Sequence, residues 1–178
     1  RELRQRTGNQ PLYLMGHSLG GHYATISAGL LGSEVDGVIL VACGSPWRGA
    51  FGGRMRRRLM LLCRLIPVLG ATLGYYPGHR LGFGGREAHR LMADWAQLCR
   101  TNTYAARGLD EDLEAGIANY GGRVLAIRLA DDDYAPQASV AAVTRKFQSA
   151  ALSEHLIDAH TLGAPADHMR WVRRPRAV

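Results

Sequence analysis

A serine set between two glycines, followed far downstream by a run of aspartates and a group of histidines, is the chemistry this chain can carry. Residues 16–20 read Gly16-His17-Ser18-Leu19-Gly20, the pattern G-x-S-x-G. A serine hydroxyl is a weak nucleophile until a histidine takes its proton and a carboxylate orients that histidine. Three adjacent acids, Asp131, Asp132 and Asp133, stand in Leu129-Ala130-Asp131-Asp132-Asp133-Tyr134-Ala135-Pro136, and His155, His160 and His168 follow them. Serine, then acid, then histidine is one of the orders in which such a set is distributed along a chain. The chemistry it would perform is acyl transfer, most simply hydrolysis of an ester, thioester or amide.

Such a serine works only if it is displayed on a sharp turn. The motif follows an apolar run, Leu12-Tyr13-Leu14-Met15, and precedes a small-residue stretch, Gly21 to Ala28, so it reads as strand, tight turn, helix. Gly16 and Gly20 are expected to give the turn its space, and Gly21 to let the helix pack close to the sheet. Ser18 is then exposed at the end of a strand, and the backbone N–H of Leu19 points where a substrate oxyanion would form. His17 reads as a packing residue of the turn, since the neighbour of the nucleophile points elsewhere. Among the acids, Asp132 is favoured because acid-x-x-x-Pro places Pro136 where the turn enters the next helix. Asp131 is second and Asp133 third, and the two not used read as charges complementing a helix dipole. His155 and His160 fall in or at the end of a weak strand, where a structural role is expected. His168 lies in a loop, Ala164 to Trp171, before a terminal helix, and is the favoured base, with His160 next. His17, His22, His79 and His89 precede the acids, and no histidine pair has metal-ligand spacing.

The elements that must position these groups alternate. Strands are predicted at 11–15, 35–42, 124–129 and, more weakly, 155–159, with helices over 18–31 and 136–152. The run Val35 to Ala42 is almost continuously apolar, as in a parallel strand covered on both faces. This alternation predicts an α/β fold with a parallel sheet and right-handed crossovers. Residues 47–120 break the alternation and read as an inserted helical cap, leaving 1–46 and 121–178 as the core. The cap opens on Arg54-Met55-Arg56-Arg57-Arg58 and an apolar run over 59–74 that Pro67 interrupts. It continues through a glycine-rich loop at 78–85 and a helical pattern over 88–99 with Leu91, Met92, Trp95 and Leu98. No Gly-Lys-Ser/Thr follows those glycines, so they form no phosphate loop. Residues 1–10 read as the end of a helix and a turn. Because the nucleophile then arrives so early, the chain is expected to be the C-terminal portion of a longer protein.

The 178 residues suffice for one domain with a core, at 47% hydrophobic and 21% charged. Net charge is +7, and of the 22 basic residues only Lys146 is lysine. No motif for nucleic acid accompanies that charge. Between Gly37 and Arg86 there are eight arginines and no Asp or Glu. That tract reads as a solvated basic face, or as a surface that meets anionic lipid or an anionic substrate. Cys43, Cys63 and Cys99 are widely spaced and odd in number, which predicts free thiols in a reducing, cytoplasmic compartment. No apolar run reaches the length of a membrane span.

With these residues in view, the chain resembles the α/β-hydrolase superfamily. It looks most like bacterial capped hydrolases of the serine aminopeptidase-like and monoacylglycerol-lipase-like branch. The segments that carry the resemblance are GHSLGGH, VACGSPWRG, RRRLMLL, GYYPGHRLGFGG, LADDDYAP and DHMRWVRR. The resemblance implies Ser18 as nucleophile, Asp132 as acid, His168 as base and the Leu19 N–H as one half of the oxyanion hole. It implies no cofactor and no metal. The family usually has glycine before the histidine, where this chain has Asp167, which would add a carboxylate beside the imidazole. The second oxyanion donor normally comes from a loop after an early strand, outside these residues. The expected function is therefore cleavage of a small carboxylic ester with an apolar acyl group. The alternatives are an acyltransferase or thioesterase using the same residues, and a degenerate hydrolase that binds a membrane or a protein.

Overall fold

The computed structural model describes residues 2–173. By its internal contacts the chain forms two compact units, Arg1–Gly44 with Glu111–Val178, and Ser45–Asp110. The first unit begins with α1 (Glu2–Thr7), β1 (Tyr13–His17), α2 (Leu19–Leu31) and β2 (Gly37–Val41). The second holds α3 (Gly53–Leu73), β3 (Tyr75–Pro77), α4 (Gly78–Leu81), β4 (Arg86–Ala88) and α5 (His89–Thr101). The first unit resumes with α6 (Leu113–Asn119), β5 (Arg123–Leu129), α7 (Gln137–Thr144), β6 (Ala151–Ile157) and α8 (Ala159–Leu162).

The sheet of the first unit runs β1-β2-β5-β6 and is parallel throughout. Its register sets His17 beside Val41, and Val41 beside Ile127. The expected parallel α/β sheet is therefore present. β2 is one of its two interior strands, and Val38, Leu40 and Val41 are at most 1% exposed, so the unbroken apolar run answers cover on both faces. At one end of the sheet, Val41, Ala42, Ile127, Leu129 and Ile157 pack with Leu162, Ala166 and Trp171. That cluster seats the C-terminal segment against the ends of β2, β5 and β6.

Several expectations are corrected. The first strand, expected over 11–15, runs Tyr13–His17; among the described residues it pairs on one side only, and Tyr13 and Met15 are about half exposed. The weak fourth strand begins earlier than 155, because its first six residues are exposed edge positions that carry little apolar signal. The helix expected over 136–152 stops at Thr144, and the chain turns there, with the Ser149 N–H donating to the Ala118 carbonyl. Residues 111–120 group with the sheet. Tyr120 explains this, since its buried hydroxyl donates to the Val35 carbonyl at 3.1 Å.

In the second unit, α3 runs through Pro67 without ending there. Proline supplies no N–H for the carbonyl four residues back, that of Cys63. The Arg100 guanidinium donates to that carbonyl instead, at 3.2 Å. The glycine-rich loop is shaped as α4 and a short antiparallel hairpin of β3 with β4, neither of which its composition announces. Leu59, Cys63, Ile66, Tyr76, Met92, Ala96 and Cys99 form this unit's own core. Within it Cys63 and Cys99 form a disulfide, which corrects the expectation of three free thiols. The packing of α3 on α5 brings their Cα atoms to 6.8 Å across 36 residues of sequence. Cys43 alone remains a thiol, and burial pushes it up to about 12. No helix among the described residues is long and apolar enough to cross a membrane.

Candidate active site

The turn between β1 and α2 holds Ser18 at φ 52°, ψ −118°, a conformation that residues with side chains rarely adopt. Its N–H donates to the Val41 carbonyl at 3.0 Å, which fixes the turn to β2. A methyl group at Gly16 would fall on the backbone of Gly20 and Gly21. One at Gly21 would lie 2.6 Å from the Cys43 sulfur. Gly20 faces open space, so the pair that gives room is Gly16 with Gly21, not Gly16 with Gly20. Leu19 is the first residue of α2, and an amide there has no acceptor within its own helix. Its N–H and the positive end of the helix are therefore available to a developing oxyanion.

The acid stands on the turn after β5. Asp132 has a fully buried side chain, and its Oδ1 accepts from the N–H groups of Tyr134 at 2.8 Å and Ala135 at 3.0 Å. Those two bonds leave Oδ2 a single direction. It lies 2.7 Å from His168 Nδ1, and His168 Nε2 lies 2.8 Å from Ser18 Oγ. A carboxylate can only accept, so Nδ1 carries the proton of the neutral ring. Nε2 is then the acceptor of the Ser18 hydroxyl proton. The structure thus brings Ser18, His168 and Asp132 into one hydrogen-bonded series from three separate segments of chain.

The rivals are placed elsewhere. The carboxylate of Asp131 accepts the Ala166 N–H at 2.9 Å while its own N–H donates to the Ala166 carbonyl. It holds the loop that carries His168, where dipole complementation alone was expected. Asp133 is exposed, as are His155 on β6 and His160 on α8. Asp167 interacts by charge with His168, but its hydrogen bonds are made within its own turn. Its carboxylate accepts from the N–H groups of Met169 and Arg170 and pairs with the Arg170 guanidinium at 3.1 Å. The two N–H bonds hold its carboxyl below the usual range.

His22, on α2, is buried and donates to the Gly44 carbonyl from Nε2 at 3.2 Å. Burial lowers it to about 4, so it is neutral and structural near pH 7. Tyr134 places its half-exposed ring 5.4 Å from that of His168. Sequence reasoning passed over Tyr134 and gave Asp131 no role at the loop. The only signal for either was adjacency to the favoured acid. Among the described residues no group of His, Cys, Asp or Glu is arranged to hold a metal ion.

Residues 1–178 match the model of a family described as the alpha/beta hydrolase family. No curated protein matches the sequence. Among solved structures, the monoacylglycerol lipase of Paleococcus ferrophilus superposes with a TM-score of 0.57 at 14% identity, over 96% of this chain and 64% of that one. A structure from a study of carboxylesterases of the thaumarchaeon Nitrososphaera gargenis gives 0.52 at 17% identity, over 99% and 64%. An esterase of Exiguobacterium antarcticum gives 0.51 at 17% identity, over 98% and 66%. At these identities the likeness is one of fold. The chain spans about two thirds of the length of the structures it matches.

Proposed function

The chain belongs to the alpha/beta hydrolase family, and from that premise we propose that it is a serine hydrolase of carboxylic esters. The observation that carries the proposal is the unbroken series Asp132–His168–Ser18, with bonds of 2.7 and 2.8 Å, ending on a strained turn at a helix N-terminus. In the first step Ser18 Oγ bonds to the ester carbonyl carbon as its proton passes to His168 Nε2. The carbonyl oxygen becomes an oxyanion facing the Leu19 N–H. The tetrahedral centre collapses, the alkoxide leaves with the proton held on Nε2, and an acyl-serine remains. Water then gives its proton to Nε2 and attacks the acyl carbon, releasing acid and restoring Ser18. Asp132 keeps Nδ1 protonated throughout and stabilises the imidazolium.

We read Ser45–Asp110 as the cap insertion, and the substrate as a small ester with an apolar acyl group. The esterase and lipase names of the structural neighbours favour an ester over an amide. A second reading, lipid-surface contact by α3, is favoured by one observation. Its solvent face carries Leu61, Leu65 and Val68 beside Arg54, Arg57, Arg58 and Arg64. Cosedimentation with phosphatidylglycerol vesicles that weakens with salt would support it, and none at low ionic strength would refute it.

The proposed activity is tested by hydrolysis of a short-chain p-nitrophenyl ester. Turnover that disappears in Ser18→Ala supports it, and turnover unchanged by that substitution rejects it.

A further inference from the structure

His17, the last residue of β1, lies within the site without belonging to the series just described. Its Nε2 is 2.9 Å from the backbone carbonyl of His168. A carbonyl only accepts, so Nε2 of His17 carries a hydrogen and donates. The two rings stand 4.9 Å apart at 47°, and the His17 ring meets Trp171 edge-on at 5.3 Å. We propose that His17 is a positioning residue, which fixes the base from the nucleophile turn itself. The proposal rests on the reading of Ser18, His168 and Asp132 given above.

The geometry gives the bond its consequence. Ser18 follows His17 directly, so one hydrogen bond ties the backbone of the base to the residue beside the nucleophile. The separation of Ser18 Oγ from His168 Nε2 is then set from both sides: by the His17 bond at residue 168, and by the Asp131 bonds at residue 166. The charges that act on His17 are those of His168 and Asp132. Burial, and then the charge of His168, hold His17 below its ordinary value. It is neutral near pH 7 and remains so while His168 takes up the serine proton, so no second cation opposes that transfer. The single N–H it needs is present in the neutral ring.

The test compares wild type, His17→Phe and His17→Gln in hydrolysis of p-nitrophenyl butyrate and in labelling by a fluorophosphonate, with Ser18→Ala as control. Phenylalanine keeps the ring contacts and removes the donor. Glutamine places an N–H the same number of bonds from the Cα. His17→Phe is expected to lower kcat roughly 10- to 100-fold with KM little changed, since small misplacements of a reacting group cost that much. His17→Gln is expected to restore most of the loss. Equal turnover in wild type and His17→Phe, equal impairment of both variants, or a loss confined to KM would overturn the positioning role. Labelling that persists in Ser18→Ala, or a wild type that neither labels nor hydrolyses the ester, would overturn the underlying reading instead.

Discussion

Asp132→Asn is the perturbation whose outcome the geometry specifies most fully. The side chain is fully buried, and Oδ1 accepts two backbone N–H groups, from Tyr134 and Ala135. An amide nitrogen cannot take that place, because donor would face two donors. The asparagine oxygen must stay on those N–H groups, which turns the NH₂ toward His168 Nδ1. Nδ1 then has to accept, so the ring proton moves to Nε2, the atom 2.8 Å from Ser18 Oγ. The base presents a hydrogen to the hydroxyl it should deprotonate, while shape and packing are preserved. A wrong tautomer of this kind costs about 10⁴ in kcat, or roughly 5.4 kcal/mol of transition-state stabilisation at 1.36 kcal/mol per tenfold. The assay is steady-state hydrolysis of a p-nitrophenyl ester, with thermal unfolding of the variant alongside. A folded Asp132→Asn within tenfold of wild type would refute the assignment of Asp132 and the tautomer argument together.

Other outcomes follow from the same contacts. Asp131→Asn keeps an acceptor for the Ala166 N–H and should stay within about threefold of wild type in kcat, a neutral-acceptor exchange being a small change; inactivity would move the acid to Asp131. Gly16→Ala forces a methyl group onto the backbone of Gly20 and Gly21 and should destabilise by about 3 kcal/mol or more in urea, whereas Gly20→Ala should cost under about 1 kcal/mol. His22 is lowered from 6.5 to about 4, so the unfolded chain takes up its proton before the folded one does. Stability should therefore be complete above pH 6.5 and fall by about 3 kcal/mol on acidification to pH 4, an effect that His22→Gln removes. Thiol titration of the protein unfolded without reductant should find Cys43 alone, and all of Cys43, Cys63 and Cys99 after reduction.

What was legible in the sequence was what short-range constraints write. The turn from β1 to α2 needs small residues at fixed offsets from the serine, and Gly16 with Gly21, two residues before Ser18 and three after it, state that need within six positions. β2 lies between two strands and under cover on both faces, so VDGVILVA reads as a strand without ambiguity. Asp132 and His168 were singled out by chain order and turn chemistry, and they lie within hydrogen-bond reach of each other and, through His168, of Ser18. The remainder depends on partners remote in sequence. Nothing near Pro67 announces that Arg100 will satisfy the Cys63 carbonyl, and nothing near Cys63 announces Cys99. Edge strands carry weak patterns because solvent accepts either polarity, and β6 was mis-bounded for that reason. His17 looked like packing because its donor role needs the carbonyl of a residue 151 positions away.

The central claim is that Ser18 is an activated nucleophile. Treating the chain with a fluorophosphonate and mapping the adduct by tandem mass spectrometry tests it most directly. A single modified residue, Ser18, is expected, at a rate that falls steeply in His168→Ala. A chain that takes up no probe, or takes it up elsewhere while Ser18 stays unmodified, would contradict it.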